Sequence, residues 1–348
     1  MATIEVSNMV GDFDIKLDES KGRFTVTIDS YKGDSKEVIV PDNIGGIPVT
    51  VIGVLAFFGC ENLTNLILPE GLVTIQWCAF EDCEKLINIT IPKDTVHIEE
   101  DAFDNCNSLK EFIVDEQNRY FTSHDGVLFD KNMTTLIFYP QAKEGNYTIP
   151  DSVNTITSYA FAKGCRGLTG ISFPKDLINF HSFAKCERLS SFTVNENSKD
   201  YISIDGVLLT KNKEGKEQRL MCYPQGRDST NYIVPHNVSE IGYEAFYNCK
   251  HLRSIILPEG LEFIGEEAFY GCEQLTAMAL PMSLEYIGKG AFYGCEKLTA
   301  MTLPMSLEYI DEGIFRECPN LETITLSRKT KTNYKAFKGF SGKIIYRD

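Results

Sequence analysis

Apolar and polar residues alternate along this chain in short extended pieces that return at a fixed interval. In Leu63-Thr64-Asn65-Leu66-Ile67-Leu68-Pro69, Leu66 and Leu68 share one side and Asn65 and Ile67 the other, as in a strand with one face inward. Pro69 ends the strand, because it has no N–H to give to a ladder. Leu72-Val73-Thr74-Ile75 predicts a second, shorter strand, and Ala79-Phe80-Glu81-Asp82-Cys83 a short helical turn that carries Phe80 and Cys83 into the core. The phrase then repeats. Phe57, Phe80 and Phe103 are spaced by 23 residues, as are Phe246, Phe269, Phe292 and Phe315. The units Ala268–Ile287 and Ala291–Ile310 are near copies.

A period of about 20–29 residues written with Leu and Ile at fixed places is the signature of a leucine-rich repeat solenoid. Such a fold grows by adding coils that touch only their neighbours, so all 348 residues are expected to form one domain. Phe13–Leu17 and Phe24–Ile28 alternate around a Ser20-Lys21-Gly22 turn, which predicts a hairpin cap over residues 1–40. Two intervals break the period and hold related segments, 115–146 and 195–231. Tyr120 to Phe129 followed by Leu136–Pro140 resembles Tyr201 to Leu209 followed by Leu220–Pro224. Each reads as an inserted β-hairpin with an Asp-Gly pair. Residues 327–348 shorten the repeat and gather Arg328, Lys329, Lys331, Lys335, Lys338, Lys343 and Arg347, a polar C-terminal cap with Lys343–Tyr346 as its last strand.

The net charge of −15 disfavours nucleic acid and anionic membrane surfaces. No apolar run reaches the roughly 20 residues of a membrane span. Met1 to Leu17 carry neither a basic segment nor an apolar signal core, taken alone a cytosolic start. Nine of the eleven cysteines occupy one repeat position, Cys60, Cys83, Cys106, Cys165, Cys186, Cys249, Cys272, Cys295 and Cys318. Equivalent side chains on stacked coils point the same way and do not offer a disulfide dihedral. They are expected as a buried ladder of free thiols acting as small hydrophobes. His97, His124, His181, His236 and His251 share no register, and no GxSxG, HExxH or Walker A sequence occurs. No catalytic residue, cofactor or metal site is predicted.

The composite LxxIxLPxxLxxIgxxAFxxC resembles the BspA-like, or Treponema-type, leucine-rich repeat family over nearly the whole chain. The DGVL…YP insertions are similar to segments found in such proteins. The resemblance implies a curved right-handed β/α, mostly β, superhelix with a parallel sheet on its concave face and two hairpin insertions. It also implies display on, or secretion from, bacteria and a role in adhesion or host-protein binding. The expected partner is accordingly a protein, such as one of host or extracellular-matrix origin, bound by a monomeric scaffold. A glycan bound by exposed aromatics is the alternative.

Two surfaces are candidates for that partner. The first is the outward row of the main strands: Asn65 and Ile67, Asn88 and Thr90, Glu111 and Ile113, Gly170 and Ser172, and Ser191 and Thr193. It continues through Ser254 and Ile256, Ala277 and Ala279, Ala300 and Thr302, and Thr323 and Thr325. The second is confined to the later repeats, where Tyr247, Tyr270 and Tyr293 follow the Ala-Phe pair and Phe263, Tyr286 and Tyr309 precede the last Ile. Both sets step by 23, so each should form a column along the stack. The first repeats hold mostly polar groups there, with Phe58 the exception. Core packing alone does not explain aromatic residues kept to one end; recent duplication of the near-identical units is one account, and a half-exposed column offering contact area to a partner is the other.

Overall fold

The computed structural model describes residues 4–20, 22–161, 164–180, 183, 185–276 and 278–348, with the backbone alone for 4–10. It is a β-solenoid. His181 and Ala277 lie outside the described residues. The chain divides into two compact units, Met1–Glu144 with Ser152–Gly167 and Asn179–His181, and Gly145–Asp151 with Leu168–Ile178 and Ser182–Asp348.

In the first unit the expected coil is visible at Asn65–Ile67 and Thr74–Ile75. The short strands stack in parallel and in register, Val51 on Thr74 and Thr74 on His97. The longer strands do the same, Glu37 on Asn65 and Asn88 on Glu111. Phe57, Phe80 and Phe103 are buried and stack at 5.4 Å between ring centroids. In the second unit Phe246, Phe269, Phe292 and Phe315 stack at 5.0, 5.4 and 5.6 Å. Phe103, Phe161 and Phe183 are buried but meet other aromatic partners. Phe103 packs on Phe112 and Phe138, Phe161 on Tyr139, and Phe183 on Phe173 and Phe192.

The predicted helical turn is absent, and no α-helix occurs among the described residues. Successive i→i+3 bonds do form, such as Ala79 N–H to Gln76 O and Cys83 N–H to Phe80 O. Two left-handed residues in each of seven coils stop them from propagating. Cys78 and Asp82 play this part in one coil, Glu244 and Asn248 in another, and Gly290 and Gly294 in a third. Left-handed backbone cannot continue a right-handed helix. The turn segments bond to the next coil instead, as in Phe57 N–H to Ala79 O and Gly59 N–H to Glu81 O.

The insertions contain the expected hairpins, and each adds a third strand. Phe121–His124, Val127–Asp130 and Thr135–Phe138 form an antiparallel meander whose last strand joins the parallel ladder, Leu136 on Ile156. Tyr201–Ile204, Val207–Lys211 and Glu217–Cys222 repeat it, with Leu220 on Ile241. The tyrosine that follows each meander takes the spine position. Tyr139 stacks on Phe161 at 5.0 Å and Tyr223 on Phe246 at 5.2 Å.

The N-terminal cap follows the same plan. Ile4–Val10, Phe13–Ser20 and Arg23–Tyr31 form a meander, Val26 joins the parallel ladder beside Val49, and Tyr31 stacks on Phe57 at 5.4 Å. Its second strand differs in one respect that makes it a cap. Where Leu128 and Leu208 are fully buried in the inserted meanders, the corresponding place holds Asp14, which accepts a hydrogen bond from Ser30 and lies 3.6 Å from Lys32. A polar outer face of this kind is what a terminal repeat needs. At the other end Lys343–Arg347 pairs with Thr323–Ser327, as the C-terminal cap requires.

Candidate interaction surface

The outward row of the main strands has the predicted register. Asn65, Ile67 and Thr90 are exposed, and Asn88 and Ser254 are half-buried. Ile256 and Thr302 are exposed and Thr323 half-buried. Glu111, Ile113, Thr193, Ala279 and Ala300 are exposed, and Ser172 and Ser191 half-buried. Two residues depart from expectation. Gly170 is buried between Asn146 and Ser191, and Thr325 is 6% exposed, flanked in the sheet by Thr302 and Ile345. The strand that carries Thr325 pairs with the last strand over five residues, from Thr323 on Lys343 to Ser327 on Arg347, and Thr325 sits at the middle of that pairing. Thr325 therefore offers nothing to a partner.

The tyrosine columns form as their spacing requires. Tyr247 and Tyr270 stack at 4.8 Å and Tyr270 and Tyr293 at 4.6 Å, with rings parallel to within 8° and 5°. All three are half-buried. The turn geometry places them there, because Phe246, Phe269 and Phe292 point inward and the next residue must point out. In the second column Tyr286 and Tyr309 stack at 5.9 Å, while Phe263 is tilted against Tyr286 at 6.4 Å. Tyr286 donates its hydroxyl to Asp311 Oδ2 at 3.3 Å.

The first column sits among carboxylates. A hydrogen bond to the Glu317 carboxylate, with burial second, pushes the Tyr293 phenol up to about 12. Burial, then the neighbouring Tyr270, raises Tyr247. Burial, then the Glu244 and Glu266 carboxylates, raises Glu267. Arg316 takes the next place along the column, its guanidinium carbon 5.7 Å from the Tyr293 ring centre. Its role was not legible from the spacing alone, since a charged residue there reads as solvent-facing.

A second exposed group was also missed. Val54, Leu55, Phe58 and Trp77 are exposed in the first unit, and the backbone joins them where Leu55 N–H donates to Trp77 O. The available signal was register, since the place of Trp77 holds a charged residue, Glu100, Glu266, Lys289 or Glu312, in four other coils, against Val54 and Tyr243 in two.

The thiol ladder is present and buried except at Cys60, which is half-buried, and all eleven cysteines are free. Five of the thiols also hydrogen-bond the carbonyl of the Phe one coil earlier. Cys83 donates to Phe57 O at 3.2 Å, Cys106 to Phe80 O at 3.2 Å, Cys272 to Phe246 O at 3.1 Å, Cys295 to Phe269 O at 3.4 Å and Cys318 to Phe292 O at 3.0 Å. The position thus does more than fill space: it gives a buried carbonyl, already bonded by the N–H of its own coil's Cys, a second donor. Among the described residues no group of three or more His, Cys, Asp or Glu side chains is arranged to hold a metal ion.

The family description for the BspA type leucine-rich repeat region matches residues 31–144, 135–205 and 222–342, in six copies. Three solved structures share the fold. A leucine-rich cell surface protein from Faecalibacterium prausnitzii is 21% identical, with 98% of this chain and 94% of that one covered and a TM-score of 0.61. A leucine-rich repeat protein from Eubacterium ventriosum is 19% identical, with 96% and 82% covered and a TM-score of 0.59. The pneumococcal vaccine antigen PcpA is 21% identical, with 100% and 94% covered and a TM-score of 0.56. No curated protein is recognisably similar in sequence.

Proposed function

This chain belongs to the BspA-type leucine-rich repeat family, and from that premise we propose that it is a non-enzymatic scaffold, displayed on or secreted from a bacterium, that binds a host or matrix protein through its later coils. The observation that carries the reading is the pair of stacked, half-exposed tyrosine columns. Tyrosine is rigid and amphipathic, so it gives contact area at low entropic cost and is enriched at protein interfaces. The outward row of main strands, from Ser254 and Ile256 to Thr302 and Thr323, supplies small groups on which a partner can lie flat. Surface placement is supported by the F. prausnitzii structure, which is described as a cell surface protein, and by PcpA, described as a vaccine antigen.

The test is binding of the chain to arrays of host and matrix proteins and, in parallel, of glycans. Replacing Tyr247, Tyr270 and Tyr293 together by Ser should abolish capture by the protein array while circular dichroism stays unchanged. Capture by glycans alone, or protein binding indifferent to the triple replacement, would sink the reading.

A further inference from the structure

The tyrosine column carries information about the chemistry of what it contacts, and the inference drawn from it rests on the column being the contact surface. Three features converge there. The rings of Tyr247, Tyr270 and Tyr293 stack on one another, so their outer edges present a row of phenol oxygens at intervals close to the 4.8 and 4.6 Å between the rings. Carboxylates line the row. Glu244 and Glu267 each precede a tyrosine by three residues within the same tight turn, the tyrosine N–H bonding the glutamate carbonyl at 3.0 Å. Glu317 hydrogen-bonds Tyr293 at the far end. Finally, the chain already seats one cation on this column. Arg316 continues it in register and lies over the last ring.

In the same turns Lys289 pairs with Glu266 at 3.2 Å. The row still presents phenol and carboxylate oxygens as acceptors, and its own example of a seated cation is a guanidinium. A guanidinium is planar, weakly hydrated and carries five donors in a fixed fork, so it can bridge neighbouring phenol and carboxylate oxygens along the row and lie over an open ring face at its end. An ammonium is a compact, strongly hydrated point charge without that fork.

We propose that the tyrosine column of the later coils reads guanidinium groups, engaging its partner through an extended arginine-rich segment. Arg316 acts as a built-in competitor that occupies the last ring.

Fluorescence anisotropy with labelled hexaarginine and hexalysine tests this. Hexaarginine should bind at least about fivefold more tightly than hexalysine, a gap of about 1 kcal/mol. The triple Tyr247→Ser, Tyr270→Ser, Tyr293→Ser chain should lose about tenfold in hexaarginine affinity, as should Glu244→Gln with Glu267→Gln. Arg316→Ala should tighten binding, whereas Glu84→Gln with Asp94→Asn in the first unit should leave it unchanged. Equal affinity for the two peptides, or no response to the tyrosine replacement, would mean diffuse attraction to a chain of net charge −15 and would overturn the proposal. If the triple variant loses its protein partner yet binds hexaarginine normally, the guanidinium reading falls alone. Retention of the protein partner by that variant instead removes the reading on which it rests.

Discussion

Truncating one ring of the spine measures how the stack is held together. Phe269 is fully buried, with Phe246 at 5.0 Å on one side and Phe292 at 5.4 Å on the other. Phe269→Ala removes a large buried side chain, costing about 3–5 kcal/mol when the site cannot collapse. Collapse is opposed here because the backbone on both sides is tied in ladders, Phe269 N–H to Ala291 O and Phe246 N–H to Ala268 O. Two stacked pairs are lost as well, each worth about 0.5–1.5 kcal/mol beyond area burial. These contributions overlap, so a loss near 4 kcal/mol is expected. Phe315 has one parallel neighbour at 5.6 Å and, on the other side, Phe340 tilted at 6.5 Å. Phe315→Ala should therefore cost about 1 kcal/mol less, the worth of one stacked pair. Guanidinium denaturation followed by circular dichroism, with hydrogen exchange to locate the loosened coils, reads both. A loss below about 1 kcal/mol at Phe269, or a larger loss at Phe315 than at Phe269, would refute a nearest-neighbour spine.

Other consequences are smaller but as direct. Gly271 has φ +66, and a Cβ there collides with Asn248, so Gly271→Ala should lose at least about 1–2 kcal/mol; Gly290→Ala, whose Cβ meets the Glu267 and Tyr293 side chains no closer than 3.4 Å, should lose less, and equal thermal shifts would count against the turn geometry. The Cys295 thiol is a second donor to the buried Phe269 carbonyl, which keeps the Cys272 N–H, so Cys295→Ala should cost about 0.5–1.5 kcal/mol through that bond, and no change in denaturation midpoint would deny the thiol that role. Cysteine reactivity should depend on pH in a stated order. The Cys83 thiol hydrogen-bonds Cys60 and lowers its pKa, so the Cys60 thiolate persists below the ordinary thiol range. Burial and the Glu81 carboxylate push Cys78 up to about 12, so it stays protonated at pH 8. Iodoacetamide at pH 8 followed by mass spectrometry should label Cys60 first, and earlier labelling of Cys78 would contradict the assignment.

Much of the coil was legible because burial recurs at one period. A spacing of 23 residues forces every Phe of the spine to the same azimuth, so Phe246, Phe269, Phe292 and Phe315 were bound to stack. The same arithmetic placed Tyr247, Tyr270 and Tyr293 on one another. The left-handed turns were hidden because the residues that adopt them, such as Leu55, Cys78 and Glu244, are not those that favour that backbone on their own. There the ladder to the next coil decides the conformation, and that is information from outside the segment. Tyr139 and Tyr223 were hidden for a related reason. They precede proline and lack the Ala that marks the spine, so only the pairing of Leu136 with Ile156 and of Leu220 with Ile241 reveals their place. Thr325 is buried in the middle of its strand's pairing with Lys343–Arg347, about twenty residues later, a contact that strand alternation alone cannot convey.

The account stands most directly on whether the tyrosine column meets a partner. Hydroxyl-radical footprinting of the chain alone and in complex with a protein captured from the array reads each side chain separately. Oxidation of Tyr247, Tyr270 and Tyr293 should fall at least about fivefold in the complex, while Trp77 and Phe58, in the first unit, should be oxidised as before. Undiminished oxidation of the three tyrosines in a saturated complex would contradict the account.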